Sequence, residues 1–392
     1  MNDDKQLIPI GNTDLALRKS QSLLDITDKI LANKTLAAND DVWIDEFIIW
    51  AKKNHIFKKQ HELDKRSVLE LTSLDLSRNQ LTEVPDFICK LVNLTSLNLS
   101  FNQLTELPKA IGNLFNLKYL VLEDNQLIKI PESIGNLINL NSLDISYNQL
   151  SGLPESIGNL SKLNRLVLKH NKLTDLPHSI GKLSNLINLD LWSNELTKIN
   201  ECLCILPYLS ELQLGRNQLT EIPEEISNLS NLTLLRLSEN KLTRLPESIG
   251  ELSNLTGLMA KNNQITELPA SISNLSNLTG LYLFNNQLTE IPASINKLSK
   301  LTDVYLNSNQ ISYIHESIGN LSNLVNLDLS NNKIRTLPES IGVLSKLEKL
   351  DLDSNNLTTL PESICNLTNL EGLKLNLSPC SFAANNLQSI DK

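Results

Sequence analysis

The stretch "LTSLDLSRNQLTEVPDFICKLVN", residues 71–93, decides the fold because the chain repeats it in register. An asparagine recurs every 23 residues without insertion, and leucines keep the same phase, as Leu74 and Leu76 do before Asn79. A fixed period of this length indicates a stacked-repeat architecture. The asparagines in this phase are Asn79, Asn102, Asn125, Asn148, Asn171, Asn194, Asn217, Asn240, Asn263, Asn286, Asn309, Asn332 and Asn355.

Each unit opens with a Leu-x-Leu pattern, which predicts a short strand with one buried face. A single unit cannot bury that face alone, so neighbouring units must stack and share a core. Because all units have equal length, every strand can pair in register with the next, which predicts a long parallel sheet. The asparagine follows the strand where the chain turns, and its amide can donate to and accept from backbone groups of adjacent coils.

This unit resembles the leucine-rich repeat family, whose pattern is LxxLxLxxNxLxxLPxxIxxLxxL, over residues 71–377 with thirteen regular copies and a degenerate last one. The resemblance implies an α/β solenoid, a curved stack with a parallel sheet on its concave side. The second half of a unit, such as "LPESIGELSN" at 245–254, favours irregular or 3₁₀ structure on the convex side. Its proline recurs from Pro85 to Pro361, with Asn200 and His315 as the two exceptions.

The two ends of the chain depart from the repeat, and the ends of a stack need a cover. We interpret residues 1–20 as a flexible N-terminus, 21–70 as a helical N-terminal cap and 378–392 as a C-terminal cap or tail. Apolar residues at helical spacing predict one helix in "SQSLLDITDKILA" and another in "DDVWIDEFIIWAKKN". The second could instead lie on a membrane surface, although its acidic flanks oppose that alternative.

Composition limits the functional class. The chain has 392 residues, is 41% hydrophobic and carries a net charge of −9, which supports a sizeable core and argues against a nucleic-acid partner. No segment is long and apolar enough to span a membrane, and the N-terminus lacks the apolar region of a secretory signal. We therefore expect a cytoplasmic protein, with export by a signal-independent route as the alternative.

The cysteines and histidines predict no catalytic or metal site. Cys89, Cys204 and Cys365 share a phase that in most other copies holds glycine or serine, which indicates that the fold favours a small packed residue there. The "ECLC" pair at 201–204 has no companion pair to complete a metal site. Cys380 alone could act as a nucleophile, but a free thiol in the tail is the simpler interpretation. No catalytic residue, metal ligand or cofactor is predicted.

The positions between the repeat leucines face outward, and most copies fill them with small polar residues or with aspartates, which we interpret as structural. Several consecutive copies carry larger side chains instead. Because neighbouring coils lie about 5 Å apart, these side chains predict a partner-binding patch. The alternative is that the aromatic rings stack to support the sheet. The patch residues are Trp192, Arg236, Met259, Lys261, Tyr282, Phe284 and Tyr305.

The resemblance extends to cytoplasmic Ras-pathway scaffolds, to plant intracellular relatives and to bacterial leucine-rich repeat proteins. It implies a non-enzymatic scaffold that binds a protein or peptide on the concave face, in intracellular signalling or as a bacterial host-directed protein. One alternative is an adaptor or substrate-recognition part of a ubiquitin-ligase or phosphatase complex. Another is an exported structural or surface protein. The oligomeric state stays open.

Overall fold

The computed structural model describes residues 42–54, 56 and 64–375, and the chain divides into two compact units, Met1–Glu70 and Leu71–Lys392. The proposed flexible N-terminus at 1–20, the predicted helix in 20–32 and the proposed cap or tail at 378–392 lie outside the described residues. The assignment of residues 21–70 as a cap therefore stays a prediction.

In the first unit, helix α1 spans Val42–Lys53, where the second N-terminal helix was predicted. Its buried face carries Ile44, Phe47 and Ala51, and acidic and basic residues stand at the helix ends where they favour the dipole. Among the described residues, no helix has both the length and the apolar character needed to cross a bilayer.

A second short helix, α2 at Lys65–Leu69, was not predicted. It begins at Asp64, whose carboxylate accepts the backbone N–H of Ser67 at 2.7 Å in a capping box. The Nζ of Lys65 lies 3.4 Å from a carboxylate oxygen of Asp45 and so links α2 to α1.

The second unit contains one sheet of fourteen parallel strands in chain order, which confirms the predicted sheet. Each strand pairs with the next at an offset of one repeat, as Leu74 does with Leu97. The strands are β1 Ser73–Asp75, β2 Ser96–Asn98, β3 Tyr119–Val121, β4 Ser142–Asp144, β5 Arg165–Val167, β6 Asn188–Asp190, β7 Glu211–Gln213, β8 Leu234–Arg236, β9 Gly257–Met259, β10 Gly280–Tyr282, β11 Asp303–Tyr305, β12 Asn326–Asp328, β13 Lys349–Asp351 and β14 Gly372–Lys374.

The chain leaves each of the strands β1 to β13 through a residue in the left-handed region, beginning with Arg78 at φ 60° and ending with Ser354 at φ 55°. None of these residues is a glycine. Left-handed backbone costs a non-glycine residue roughly 1–2 kcal/mol, so the contacts of the following asparagine must hold the turn in place.

The repeat asparagines make those contacts in a buried ladder, for which Asn217 is representative. Its Oδ1 accepts the backbone N–H of Leu196 at 3.0 Å, in the preceding coil. Its Nδ2 donates to the carbonyl oxygens of Leu191 and Leu214, both at 3.0 Å. One amide thus satisfies backbone groups in two adjacent coils, which water cannot reach.

The second half of each coil forms a five-residue 3₁₀ segment, as the sequence predicts. A proline precedes most of them. At the two exceptions a side chain replaces it: Asn200 Oδ1 accepts the N–H of Cys202, and His315 Nδ1 accepts the N–H of Ser317, both at 3.0 Å. The segments are Asp86–Lys90, Lys109–Asn113, Glu132–Asn136, Glu155–Asn159, His178–Lys182, Glu201–Ile205, Glu224–Asn228, Glu247–Glu251, Ala270–Asn274, Ala293–Lys297, Glu316–Asn320, Glu339–Val343 and Glu362–Asn366.

An outer asparagine ladder, which was not predicted, follows these segments on the surface. Asn231 is representative, since its Nδ2 donates to the carbonyl oxygen of Pro207 in the preceding coil at 2.6 Å. Its members are exposed and each makes the equivalent bond: Asn116, Asn139, Asn185, Asn231, Asn254, Asn277, Asn323 and Asn369.

Candidate binding surface

The open face of the sheet carries the residues that alternate with the buried leucines. They form three columns: the first residue of each strand, the last residue of each strand, and the residue two positions after the strand. Aspartates in the second column have local partners. Asp328 Oδ1, for example, accepts the backbone N–H of Ser330 at 3.0 Å and its hydroxyl at 2.7 Å. Such aspartates hold the strand end and need no functional role.

Five of the predicted patch residues lie on neighbouring coils, and we call them the aromatic cluster: Met259, Lys261, Tyr282, Phe284 and Tyr305. Tyr282 pairs in register with Met259 on one side and with Tyr305 on the other. The two tyrosine rings stack with centroids 5.3 Å apart at an interplanar angle of 10°. The stacking that we considered as the alternative is therefore present, while all five side chains stay partly exposed.

Burial, followed by the charge of Asp303, raises the pKa of the hydroxyls of Tyr282 and Tyr305 above the ordinary value. Both phenols are therefore neutral hydrogen-bond donors near neutral pH, each carried on a largely apolar ring. This combination of apolar body and polar tip suits a surface that a partner covers.

Two glycines on the open face make room for rings, and sequence reasoning missed them. A Cβ on Gly280 would lie 2.7 Å from Cε2 of Tyr282, and one on Gly215 would clash with the ring of Trp192. The rings of Tyr282 and Trp192 therefore each pack over a glycine. Glycine within a strand pattern marks a close approach, and this signal in the sequence could have identified both positions.

Two cations accompany the aromatic cluster. Lys261 Nζ lies 5.2 Å from the centroid of the Phe284 ring, within the range of a cation–π contact. Arg236 lies on the neighbouring strand beside Met259, and its Nη1 donates to Oε1 of Gln213 at 3.1 Å. Its Nε is buried and has no hydrogen-bond partner among the described residues.

Trp192 is the predicted patch residue that the structure sets apart from the cluster. Two coils, with Gly215 and Ser238 at the equivalent positions, separate it from Lys261. Its indole covers Gly215, and its backbone N–H donates to Oδ1 of Asp190 at 3.0 Å. The ring therefore fills the space over Gly215, next to the strand that carries Gln213, the partner of Arg236.

A second aromatic group, missed by the sequence reasoning, lies on the earlier coils. The rings of Tyr147 and His170 stack with centroids 4.3 Å apart, and Lys169 Nζ lies 5.3 Å from the centroid of Tyr147. Both ring residues stand immediately before a ladder asparagine, in the left-handed position. A comparison of that position across coils, rather than of the strand positions alone, could have found them.

Burial and nearby charges shift the pKa values of two residues near this second aromatic group. Burial, followed by the charges of Arg216 and Lys169, lowers the pKa of His170, while burial raises the pKa of Asp190. On the last two strands, a lysine and an aspartate form an ion pair, since Lys374 Nζ lies 3.1 Å from a carboxylate oxygen of Asp351.

The described cysteines are unreactive or isolated. Burial raises the pKa of Cys89 and of Cys204 to about 12, so both remain thiols near neutral pH. Cys202 lies on the 3₁₀ side with its Sγ 3.5 Å from Nδ1 of His178. Within residues 42–54, 56 and 64–375, no group of three or more His, Cys, Asp or Glu side chains could hold a metal ion.

Family models match most of the chain. The model described as a leucine-rich repeat region matches residues 108–214, 194–303 and 309–392. A second, described as a leucine rich repeat, matches residues 70–127 and 276–334. The comparison with curated proteins found no significant match.

Solved structures agree with this. A leucine-rich repeat protein of Leptospira interrogans is 37% identical, with a TM-score of 0.76 over 84% of this chain and 90% of that one. The plant peptide hormone receptor RGFR1 in complex with RGF2 is 33% identical, with a TM-score of 0.61 over 78% of this chain and 60% of that one. The ectodomain of the receptor kinase GASSHO1/SCHENGEN3 from Arabidopsis thaliana, in complex with CASPARIAN STRIP INTEGRITY FACTOR 2, is 34% identical, with a TM-score of 0.64 over 79% of this chain and 42% of that one.

Proposed function

The chain belongs to the leucine-rich repeat family, and from that premise we propose that the open face of its sheet binds a protein or peptide without catalysing a reaction. The observation that carries the proposal is the aromatic cluster together with Arg236. Its rings and cations are partly exposed on consecutive coils, where most other coils carry small polar residues. Aromatic, Met and Arg side chains are the types that dominate protein interfaces.

The structural relatives support recognition of a polypeptide. Both plant receptors are similar to this chain at more than 30% identity, and each structure is a complex with a bound partner. We propose that this chain acts as a scaffold in intracellular signalling or as a bacterial host-directed protein. We expect a cytoplasmic location, and fractionation of the native cell tests it against export.

Stacking of Tyr282 on Tyr305 does not by itself account for the cluster. The stack accounts for the positions of the two tyrosine rings only. Met259, Lys261 and Arg236 extend the partly exposed surface beyond the stack on the preceding coils. A support role would require only the ring contacts. The extension by flexible apolar and cationic side chains favours a partner over internal support.

The test is affinity purification of the full-length protein from its native cell, with partners identified by mass spectrometry and affinities then measured by calorimetry. The variant Y282S/F284S should lose the partner while its circular dichroism spectrum stays unchanged. The matched control is Tyr208→Ser, which removes a tyrosine that is 59% exposed away from the open face. Loss of the partner in both variants, or in neither, would remove the aromatic cluster from the binding site.

A further inference from the structure

The two cations at the aromatic cluster, Arg236 beside it and Lys261 within it, have no acidic partner within the described part of the chain. Arg236 donates to the neutral amide of Gln213, and its Nε is buried without a partner. Lys261 faces the ring of Phe284. Neither forms an ion pair with any described carboxylate, whereas Lys374 pairs with Asp351 and Arg216 approaches Glu239 at 3.9 Å.

The surroundings of Arg236 make a carboxylate the complementary group. Its guanidinium is partly buried between Gln213 and Met259, which lie in register on the two neighbouring strands. A hydrogen bond between ions is stronger in a partly desolvated site than at a free surface. The planar guanidinium keeps donors beyond the one given to Gln213, and these suit the two oxygens of a carboxylate.

The strand spacing sets the distance between the charged and the aromatic contacts. Arg236 lies on β8, while the stacked Tyr282 and Tyr305 lie on β10 and β11, which is two and a half strand spacings, or about 12 Å. In an extended peptide crossing the strands, residues four positions apart point to the same side at a separation of about 13 Å. The residue between them, two positions from each, falls over Met259 on β9.

We infer that the partner segment is extended and carries an aspartate or glutamate four positions from an aromatic residue, with an apolar residue midway. The carboxylate binds Arg236, the apolar side chain packs on Met259, and the aromatic ring packs on the Tyr282–Tyr305 stack. This inference rests on the proposed function and names the chemistry of the partner that the same face takes.

A single-stranded nucleic acid would also offer negative charge and flat rings. The protein's net charge of −9 opposes it, because phosphate backbones are bound mainly through an excess of Lys and Arg. Binding of a 20-nucleotide oligo(dT) strand tighter than that of the best peptide below would overturn the inference.

The experiment selects random 12-residue peptides, displayed on phage, against the protein. Enriched peptides should share an acidic residue four positions from Trp, Tyr or Phe. In a synthetic capped peptide of the enriched sequence, Glu→Gln (or Asp→Asn) should weaken binding about tenfold or more, which is about 1.4 kcal/mol. That loss should vanish in the variant Arg236→Gln, because the carboxylate then has no partner.

Arg335→Gln is the matched control, since it removes the same charge from an exposed position away from the open face. In this variant the acidic peptide should keep its advantage. Enriched peptides without the acidic residue, or equal loss in both arginine variants, would overturn the inference while the proposed function stands. A selection that enriches no sequence at all would count against both.

Discussion

The buried asparagine ladder and the aromatic cluster on the open face both occupy positions that repeat every 23 residues. Their polar groups differ in how fully they are hydrogen-bonded. From Asn102 to Asn355, each ladder amide has its Nδ2 and Oδ1 bonded to backbone groups of its own and the preceding coil, as at Asn217. On the open face, by contrast, Arg236 beside the cluster keeps a buried nitrogen without a described partner, and Lys261 within the cluster faces a ring. The amides from Asn102 to Asn355 use their bonding capacity within the fold, whereas Arg236 keeps a free donor at another position of the same repeat.

The variant with the largest expected effect on stability changes a residue of the buried asparagine ladder. Asn217→Ala leaves the buried N–H of Leu196 without a partner and removes one of the two asparagine bonds to each carbonyl oxygen of Leu191 and Leu214, so the free energy of unfolding should fall by about 2–4 kcal/mol. Guanidinium denaturation followed by circular dichroism measures it.

The control is Asn231→Ala in the exposed outer ladder, where water can replace the bond to Pro207. We expect it to cost less than about 1 kcal/mol. Similar costs for the two variants would contradict the distinction between a buried structural ladder and an exposed one.

A second pair of variants compares a glycine of a 3₁₀ segment with a glycine on the open face. A Cβ on Gly342, in a 3₁₀ segment, would lie 2.2 Å from the backbone oxygen of Ser363, which cannot move freely. Gly342→Ala should therefore lower the free energy of unfolding by about 1–3 kcal/mol. In Gly215→Ala the nearest atoms to the new Cβ belong to the ring of Trp192, which can rotate, so this variant should cost less and shift tryptophan emission instead. An emission shift in Gly342→Ala of equal size would contradict this reading.

A third variant tests the alternative that the aromatic rings only support the sheet. Tyr282→Ser removes the stack on Tyr305 and should lower the free energy of unfolding by about 1 kcal/mol. A double-mutant cycle with Tyr305→Ser measures the coupling. If the rings serve only the sheet, this loss is their whole effect and partner affinity stays unchanged.

The smallest effect concerns pH. The lowered pKa of His170 means that the folded state takes up this proton less readily than the unfolded state. Stability should therefore rise with pH between the lowered pKa and the ordinary value of 6.5, and the penalty should be present at lower pH. Comparing unfolding midpoints at about pH 5 and about pH 8 measures it. His170→Gln should flatten the dependence, and an unchanged slope would assign it to other groups.

Counting along the chain was enough to predict the sheet, its register and the 3₁₀ segments, because equal units leave one way to stack. Tyr282 and Tyr305 were placed together for the same reason. Three features were missed: the stack of Tyr147 on His170 in the left-handed turn, the rings lying over Gly215 and Gly280, and the outer asparagine ladder. Each depends on where a side chain of one coil lies against the next coil.

The sequence by itself determined the scaffold and the columns into which its variable residues fall, since both follow from an uninterrupted 23-residue period. Only the tertiary structure decided which of those residues are satisfied, as Asp328 is by Ser330, and which keep free bonding capacity, as Arg236 does. The physical reason is that a period sets which residues become neighbours, whereas rotamer and neighbour size decide whether the neighbours bond. These contacts form between coils, so the spacing of residues along the chain does not reveal them.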